Sequence, residues 1–142
     1  MLPSYDTILV PTDFTENSDH AFKHAVVLAR QNNAKIYLLH VLTELEKTNK
    51  ERAHKVLNQD LNDFAQKELK NHPEDVANFV EPMTAAGNPV HRILETADSL
   101  KADVIIMGTH GKGIIDHALL GSISEKVLKK ARVPVFIVPL PH

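Results

Sequence analysis

Short, continuous apolar runs recur along the chain, separated by segments whose apolar residues repeat every three or four positions. Thr7-Ile8-Leu9-Val10 ends at Pro11, Ile36-Tyr37-Leu38-Leu39-His40-Val41 forms a second run, and Val104-Ile105-Ile106-Met107 forms a third that ends at Gly108. Runs of this length, rich in branched residues and bounded by turn formers, predict strands buried on both faces. Two more strands are expected over 76–84 and 133–138, each holding a proline, Pro82 and Pro134. Proline has no N–H to give to a ladder, so both strands belong at sheet edges.

The intervening segments read as helices. Phe22, Ala25, Val26 and Ala29 make one stripe, with Asn17 or Ser18 placed to cap it. Leu57, Leu61, Phe64, Ala65 and Leu69 make a second. Val90, Ile93, Leu94, Ala97 and Leu100 make a third, with Pro89 suited to its first position, and Leu120, Ile123, Val127 and Ala131 a fourth. The charged stretch 42–56 is expected to be a solvated, mobile loop running into the second helix.

The resulting order, β-α-β-α-β-α-β-α-β, implies an α/β fold with a parallel sheet and helices on both faces. Right-handed crossovers and two edge strands that hold proline lead to an open five-stranded sheet of order 3-2-1-4-5. In that order the direction of growth reverses between strands one and four. Ligands in open α/β sheets bind beyond the carboxyl ends of the strands at such a switch point. A length of 142 residues predicts a single domain over 1–142.

Charge and composition narrow the function. Sixteen basic and eighteen acidic residues leave a formal net charge of −2, which gives no drive toward a nucleic-acid backbone or an anionic membrane. Nine histidines shift that balance toward positive as pH falls through about 6.5. The absence of cysteine excludes disulfides, a thiolate nucleophile, iron–sulfur ligation and cysteine-based zinc sites. Residues 1–6 carry neither a basic nor an apolar leader, and no apolar run approaches the length of a membrane span. A soluble, cytoplasmic protein is therefore expected.

The switch point directs attention to Pro11-Thr12-Asp13 and to Gly108-Thr109-His110-Gly111-Lys112-Gly113, which holds three of the five glycines. Glycine lets backbone N–H groups approach a phosphate closely. Further on, Gly121-Ser122-Ile123-Ser124 opens the fourth helix, and a helix N-terminus with hydroxyls is an anion site. A strand-end glycine turn followed by a glycine and hydroxyls at a helix start makes a phosphate clamp. Asp13 can also be read as a helix-start acid, His40 as a satisfied structural histidine, and Lys126, Lys129 and Lys130 as solvated surface. His110 and His117 are not expected to form a dedicated metal site.

The spacing Gly108-x2-Gly111-x9-Gly121-Ser122 resembles the G-x2-G-x9-G-[S/T] motif of the ATP-binding branch of the universal stress protein family. Ile8-Leu9-Val10-Pro11-Thr12-Asp13, Leu38-Leu39-His40-Val41, Met107-Gly108-Thr109-His110-Gly111, Leu120-Gly121-Ser122 and 133–138 resemble its blocks in order. The resemblance implies a Rossmann-like fold of the adenine nucleotide alpha hydrolase type and a bound ATP or other adenine nucleotide. Pro11, Thr12 and Asp13 would lie along the nucleoside, and Val41 would meet the adenine edge through its backbone. Met107, Gly108, Gly111, Gly121 and Ser122 would line the ribose and phosphates, with Thr109, His110, Lys112, Ile123 and Ser124 beside them. Mg2+ would be held mainly by phosphate oxygens. Asp116 and His117 stand where many relatives carry a basic residue. No P-loop spacing is present.

The leading reading is a nucleotide-dependent regulatory module acting on an unidentified partner protein. The alternative is a slow ATPase, or a phosphoryl- or adenylyl-transferring enzyme of the same fold. Efficient phosphoryl transfer needs a placed nucleophile, metal ligands and charge stabilisers, and beyond Lys112, Ser122, Ser124 and the two loop histidines the chain offers no such set. No catalytic residue is assigned. A nucleotide-free interaction protein is a third reading, which the intact motif opposes. The apolar edge strand carrying Val133, Val135, Phe136, Ile137 and Val138 is expected to build a homodimer by antiparallel pairing, with Pro134 and Pro139 limiting its length. The resemblance implies the same dimer.

Overall fold

A computed structural model describes residues 1–110 and 120–141. The strands are β1 (Thr7–Pro11), β2 (Lys35–Leu42), β3 (Val80–Ala86), β4 (Val104–Gly108) and β5 (Val135–Val138). The helices are α1 (Glu16–Asn32), α2 (Lys50–Glu68), the short α3 (Val76–Phe79), α4 (Pro89–Leu100) and α5 (Ser122–Lys130). All strand pairs are parallel, and the sheet has the expected order 3-2-1-4-5. Both strands read as edges from their prolines occupy the edges.

Side-chain parity along the interior strands divides the core in two. Ile8, Val10, Ile36, Leu38, Val104 and Ile106 point to one face and pack with α1 and α2 through Phe22, Val26, Leu57 and Leu61. Leu9, Leu39, Ile105 and Met107 point to the other and pack with α4 and α5 through Ile93, Ala97 and Val127. Burying one such side chain fully is worth roughly 1.5–3 kcal/mol. A strand buried on both faces spends every residue this way, which is why the apolar runs are continuous.

Several boundaries differ from those the sequence suggests. Thr15 caps α1 by accepting from the Ser18 N–H, while Asn17 and Ser18 are buried within the helix. Residues 76–79 are helical because Pro73 opens a 3-10 turn that runs into α3, and β3 starts only at Val80. The charged stretch after β2 holds a 3-10 turn, Glu46–Thr48, and α2 starts at Lys50 under an Asn49 cap. Leu120 and Ala131 lie outside α5, and Ile123 is exposed, so the fourth stripe reduces to Val127 with the polar Ser124. Val133 precedes β5 and packs half-buried on the α4/α5 side.

One interface bears on the switch point. A Cβ added at Gly108 would stand 1.8 Å from Asn17 Oδ1 and 2.8 Å from its Cγ. The last residue of β4 is therefore a glycine that admits the side chain of α1. Gly108→Ala is expected to cost about 1–3 kcal/mol, as for other overpacked sites. In an Asn17→Ala background the same change should cost less by at least about 0.5 kcal/mol, since contacting residues couple. Urea unfolding of the four proteins measures that coupling, and strict additivity would refute the assignment.

Candidate functional site

The β1–α1 turn is fixed by its own short polar side chains. Thr12 N–H donates to Leu39 O at 2.8 Å, joining the exits of β1 and β2. Phe14 adopts a left-handed conformation with φ of 66°, a strain of about 1–3 kcal/mol for a bulky residue. Its N–H donates to Thr12 Oγ1, and its ring packs 4.4 Å from that of His40. Asp13 Oδ1 accepts from the Thr15 N–H, the Thr15 hydroxyl and the Ser18 hydroxyl. The helix-start reading of Asp13 thus holds for one carboxylate oxygen, while the residue also faces the cavity described below.

At the end of β2, His40 is buried and bracketed by two acceptors. Its Nδ1 lies 2.9 Å from Thr12 O and its Nε2 2.9 Å from both oxygens of Glu46. Burial alone would push the Glu46 carboxyl up, but the Thr43 N–H and the His40 ring donate to it and hold it below the ordinary glutamate range. The charged segment after β2 is thereby drawn back over the strand ends. His40 is the satisfied structural histidine expected, and it forms part of the cavity wall as well.

The β4–α5 side supplies backbone donors. Gly121 N–H donates to Thr109 O at 2.7 Å, and the buried Ser124 hydroxyl donates to Gly108 O at 2.8 Å. These bonds pin the first turn of α5 to the end of β4. They also commit the Ser124 proton to the fold. Glu125 N–H takes up Gly121 O, and among the described residues no side chain caps α5. A helix leaves its first N–H groups without internal partners. Here those groups belong to Ser122, Ile123 and Ser124.

These elements enclose a cavity of about 290 Å3, just under the usual size of a small-molecule pocket, roughly 300–1,000 Å3. Pro11, Thr12 and Asp13 line it from β1, Val41 from β2, Met107, Gly108 and His110 from β4 and its exit, and Ser122, Ile123 and Ser124 from α5. Thr109 and Gly121 do not line it; they form the bond behind that wall. Gly111 and Lys112, with Gly113, Asp116 and His117, lie outside the described residues. Ser18, Leu39, His40, Thr43, Pro89 and Ile93 also form the wall, none of them a site residue expected from the sequence. Pro89 and Ile93 come from α4, whose apolar stripe and Pro89 start mark the helix in the sequence but not its place in the wall.

A second cavity of about 410 Å3 lies on the opposite face, between α1 and α2. Glu16, Asp19, Asp60, Asp63 and Glu68 line it beside Lys23 and Lys67. Burial, then repulsion from Asp60, pushes the Asp19 carboxyl up. That cavity repels an anion, whereas the uncapped α5 start attracts one. Among the described residues no group of three or more histidines and carboxylates is arranged to hold a metal ion, and no helix is long and apolar enough to cross a membrane.

Comparison with known proteins agrees with this architecture. Universal stress protein MJ0531 of Methanocaldococcus jannaschii is 32% identical, over 96% of this chain and 84% of its own. Universal stress protein MJ0577 of the same organism is 33% identical over 94% of each. A solved structure of MJ0577 superposes with a TM-score of 0.70 at 33% identity, covering 97% of this chain and 98% of that one. A universal stress protein in complex with cAMP superposes with a TM-score of 0.70 at 26% identity, covering 96% and 98%. The universal stress protein family matches residues 4–139, so the sheet order, the switch-point cavity and the sequence similarity converge: this chain belongs to the universal stress protein family.

Proposed function

We propose that the chain, acting as one domain over 1–142 in the cytoplasm, binds ATP in the cavity at the β1/β4 switch point and uses occupancy to regulate a partner. The observation that carries this reading is the uncapped N-terminus of α5 opening onto that cavity. The N–H groups of Ser122, Ile123 and Ser124, at the positive end of the helix dipole, suit phosphate oxygens. Asp13 lines the same cavity, and a carboxylate suits a ribose hydroxyl. Backbone groups at Val41 suit the edge of an adenine, with Pro11, Ile93 and Met107 supplying apolar surface. The complex of a 26% identical relative with cAMP, an adenine nucleotide, supports the ligand class. Mg2+, if carried in, would be held by phosphate oxygens. Binding rather than turnover fits the side chains, because the Ser124 hydroxyl donates to Gly108 O and Asp13 Oδ1 accepts from Thr15 and Ser18.

Ser122→Glu separates binding from folding. A carboxylate in the first turn of α5 should stabilise the helix by about 0.3–1 kcal/mol. The same charge should repel phosphate and weaken ATP by roughly tenfold or more, about 1.4 kcal/mol per tenfold. Calorimetric titration beside thermal unfolding tests this, and unchanged affinity would place the phosphates elsewhere.

The homodimer belongs to the same proposal. Among the described residues β5 pairs only with β4, and Phe136 at its centre is 38% exposed with its ring against Tyr5. An apolar edge with free ladder groups favours a second copy. Light scattering at tens of micromolar should give twice the chain mass, and Phe136→Lys should shift it toward one chain; a wild-type monomer would contradict the dimer.

A further inference from the structure

Two histidines of α1 meet beside the second cavity, outside the lining of the switch-point cavity. His20 and His24 stand one helical turn apart, a spacing that brings Cβ atoms within about 5–6 Å. Their ring centres are 4.8 Å apart and the planes cross at 74°. His24 is exposed and His20 half-buried, and among the described residues neither ring takes part in a hydrogen bond or an ion pair.

That separation is what a shared metal ion requires. Two imidazoles on one ion at about 2.0–2.1 Å per nitrogen, with a ligand angle between square-planar and tetrahedral, hold their ring centres roughly 4.5–5.2 Å apart. The helix already fixes the backbone, so the remaining adjustment is rotation about side-chain bonds. The surroundings favour a cation. His20 lines the groove between α1 and α2, where five carboxylates face two lysines. Lys23 is drawn to Glu68 at 3.5 Å. Asp60 lies among like charges: burial, then repulsion from Asp63, pushes its carboxyl up. A cation at the edge of this groove reduces that repulsion.

We propose that His20 and His24 form a binding site on α1 for a late first-row divalent cation, Cu2+, Ni2+ or Zn2+. Imidazole suits these ions, whereas Mg2+ demands oxygen ligands. Two protein nitrogens leave the other coordination positions to water, so the ion exchanges rather than serving as a structural centre. It staples the second and third turns of α1. Because the two rings are held together only in the helix, binding stabilises the folded chain. Among the described residues no other two histidine rings are in contact, and His72 and His91 lie against single carboxylates, Glu74 and Glu95. The site stands independently of the nucleotide reading above.

Titrating ZnCl2 into the 15N-labelled, nucleotide-free chain at about pH 7.5, where an ordinary imidazole is neutral, tests the site imidazole by imidazole in long-range 1H–15N spectra. His20 and His24 should shift together along one saturable curve, while the exposed His54, His72 and His91 shift less and later. MgCl2 should move neither ring. His20→Ala and His24→Ala should each weaken Zn2+ at least about tenfold, the low end of what loss of even an outer-shell partner costs a metal site. Alanine is a strong helix former, so α1 should survive either change, which circular dichroism checks. Zn2+ should raise the melting temperature of the wild type and of His54→Ala, and of neither α1 variant. Rings that stay unmoved at millimolar Zn2+, shifts of equal size at all five histidines, or affinity retained in both α1 variants would overturn the site. The wild-type spectra decide the matter alone should a variant fail to fold.

Discussion

The chain leaves β1 toward one face of the sheet and leaves the neighbouring strand β4 toward the other, and the site depends on that divergence. α1 follows β1 and packs on the side of Ile8 and Val10; α5 follows β4 and packs on the side of Leu9 and Met107. Two adjacent parallel strands whose connections part in this way leave a gap at their carboxyl ends that no crossover fills. Its two rims are fixed by polar bonds, Thr12 to Leu39 and His40 to Thr12 and Glu46 on the β1/β2 side, and Gly121 to Thr109 and Ser124 to Gly108 on the β4/α5 side.

These bonds divide the polar groups of the site into two sets. Side chains that look poised for chemistry are largely committed to the fold: the Ser124 proton, one oxygen of Asp13 and both nitrogens of His40. Backbone N–H groups at the start of α5 are not capped by any side chain among the described residues. A site whose open donors are backbone amides recognises an anion, and that is the physical basis of the proposed nucleotide binding.

Much of this was legible in the chain. The interior strands announce themselves because burial on both faces demands unbroken apolar runs such as 104–107, and Pro82 and Pro134 sort the edges for want of an N–H. Ten site residues from four segments meet in one cavity because each lies at a strand end or the α5 start. Other features had no local signature. Thr15 rather than Asn17 or Ser18 caps α1, so the helix starts earlier than its stripe suggests, just after the left-handed Phe14, whose N–H bonds to Thr12 and whose ring packs on His40. The α4 wall, Pro89 and Ile93, reaches the cavity only through tertiary packing. Gly108 read as an approach for phosphate, and its contact with Asn17 spans more than ninety residues of sequence.

The central claim is that an adenine nucleotide sits on the α4/α5 side of the β1/β4 switch point. Titrating ATP into the 15N-labelled protein and following the backbone amides tests it directly. The account predicts saturable shifts concentrated at Asp13, Val41, Gly108 and Ser122 to Ser124, with little change at Asp19, Asp60 and Asp63 in the groove between α1 and α2. Shifts centred on that groove, or a spectrum unchanged at millimolar ATP, would contradict it.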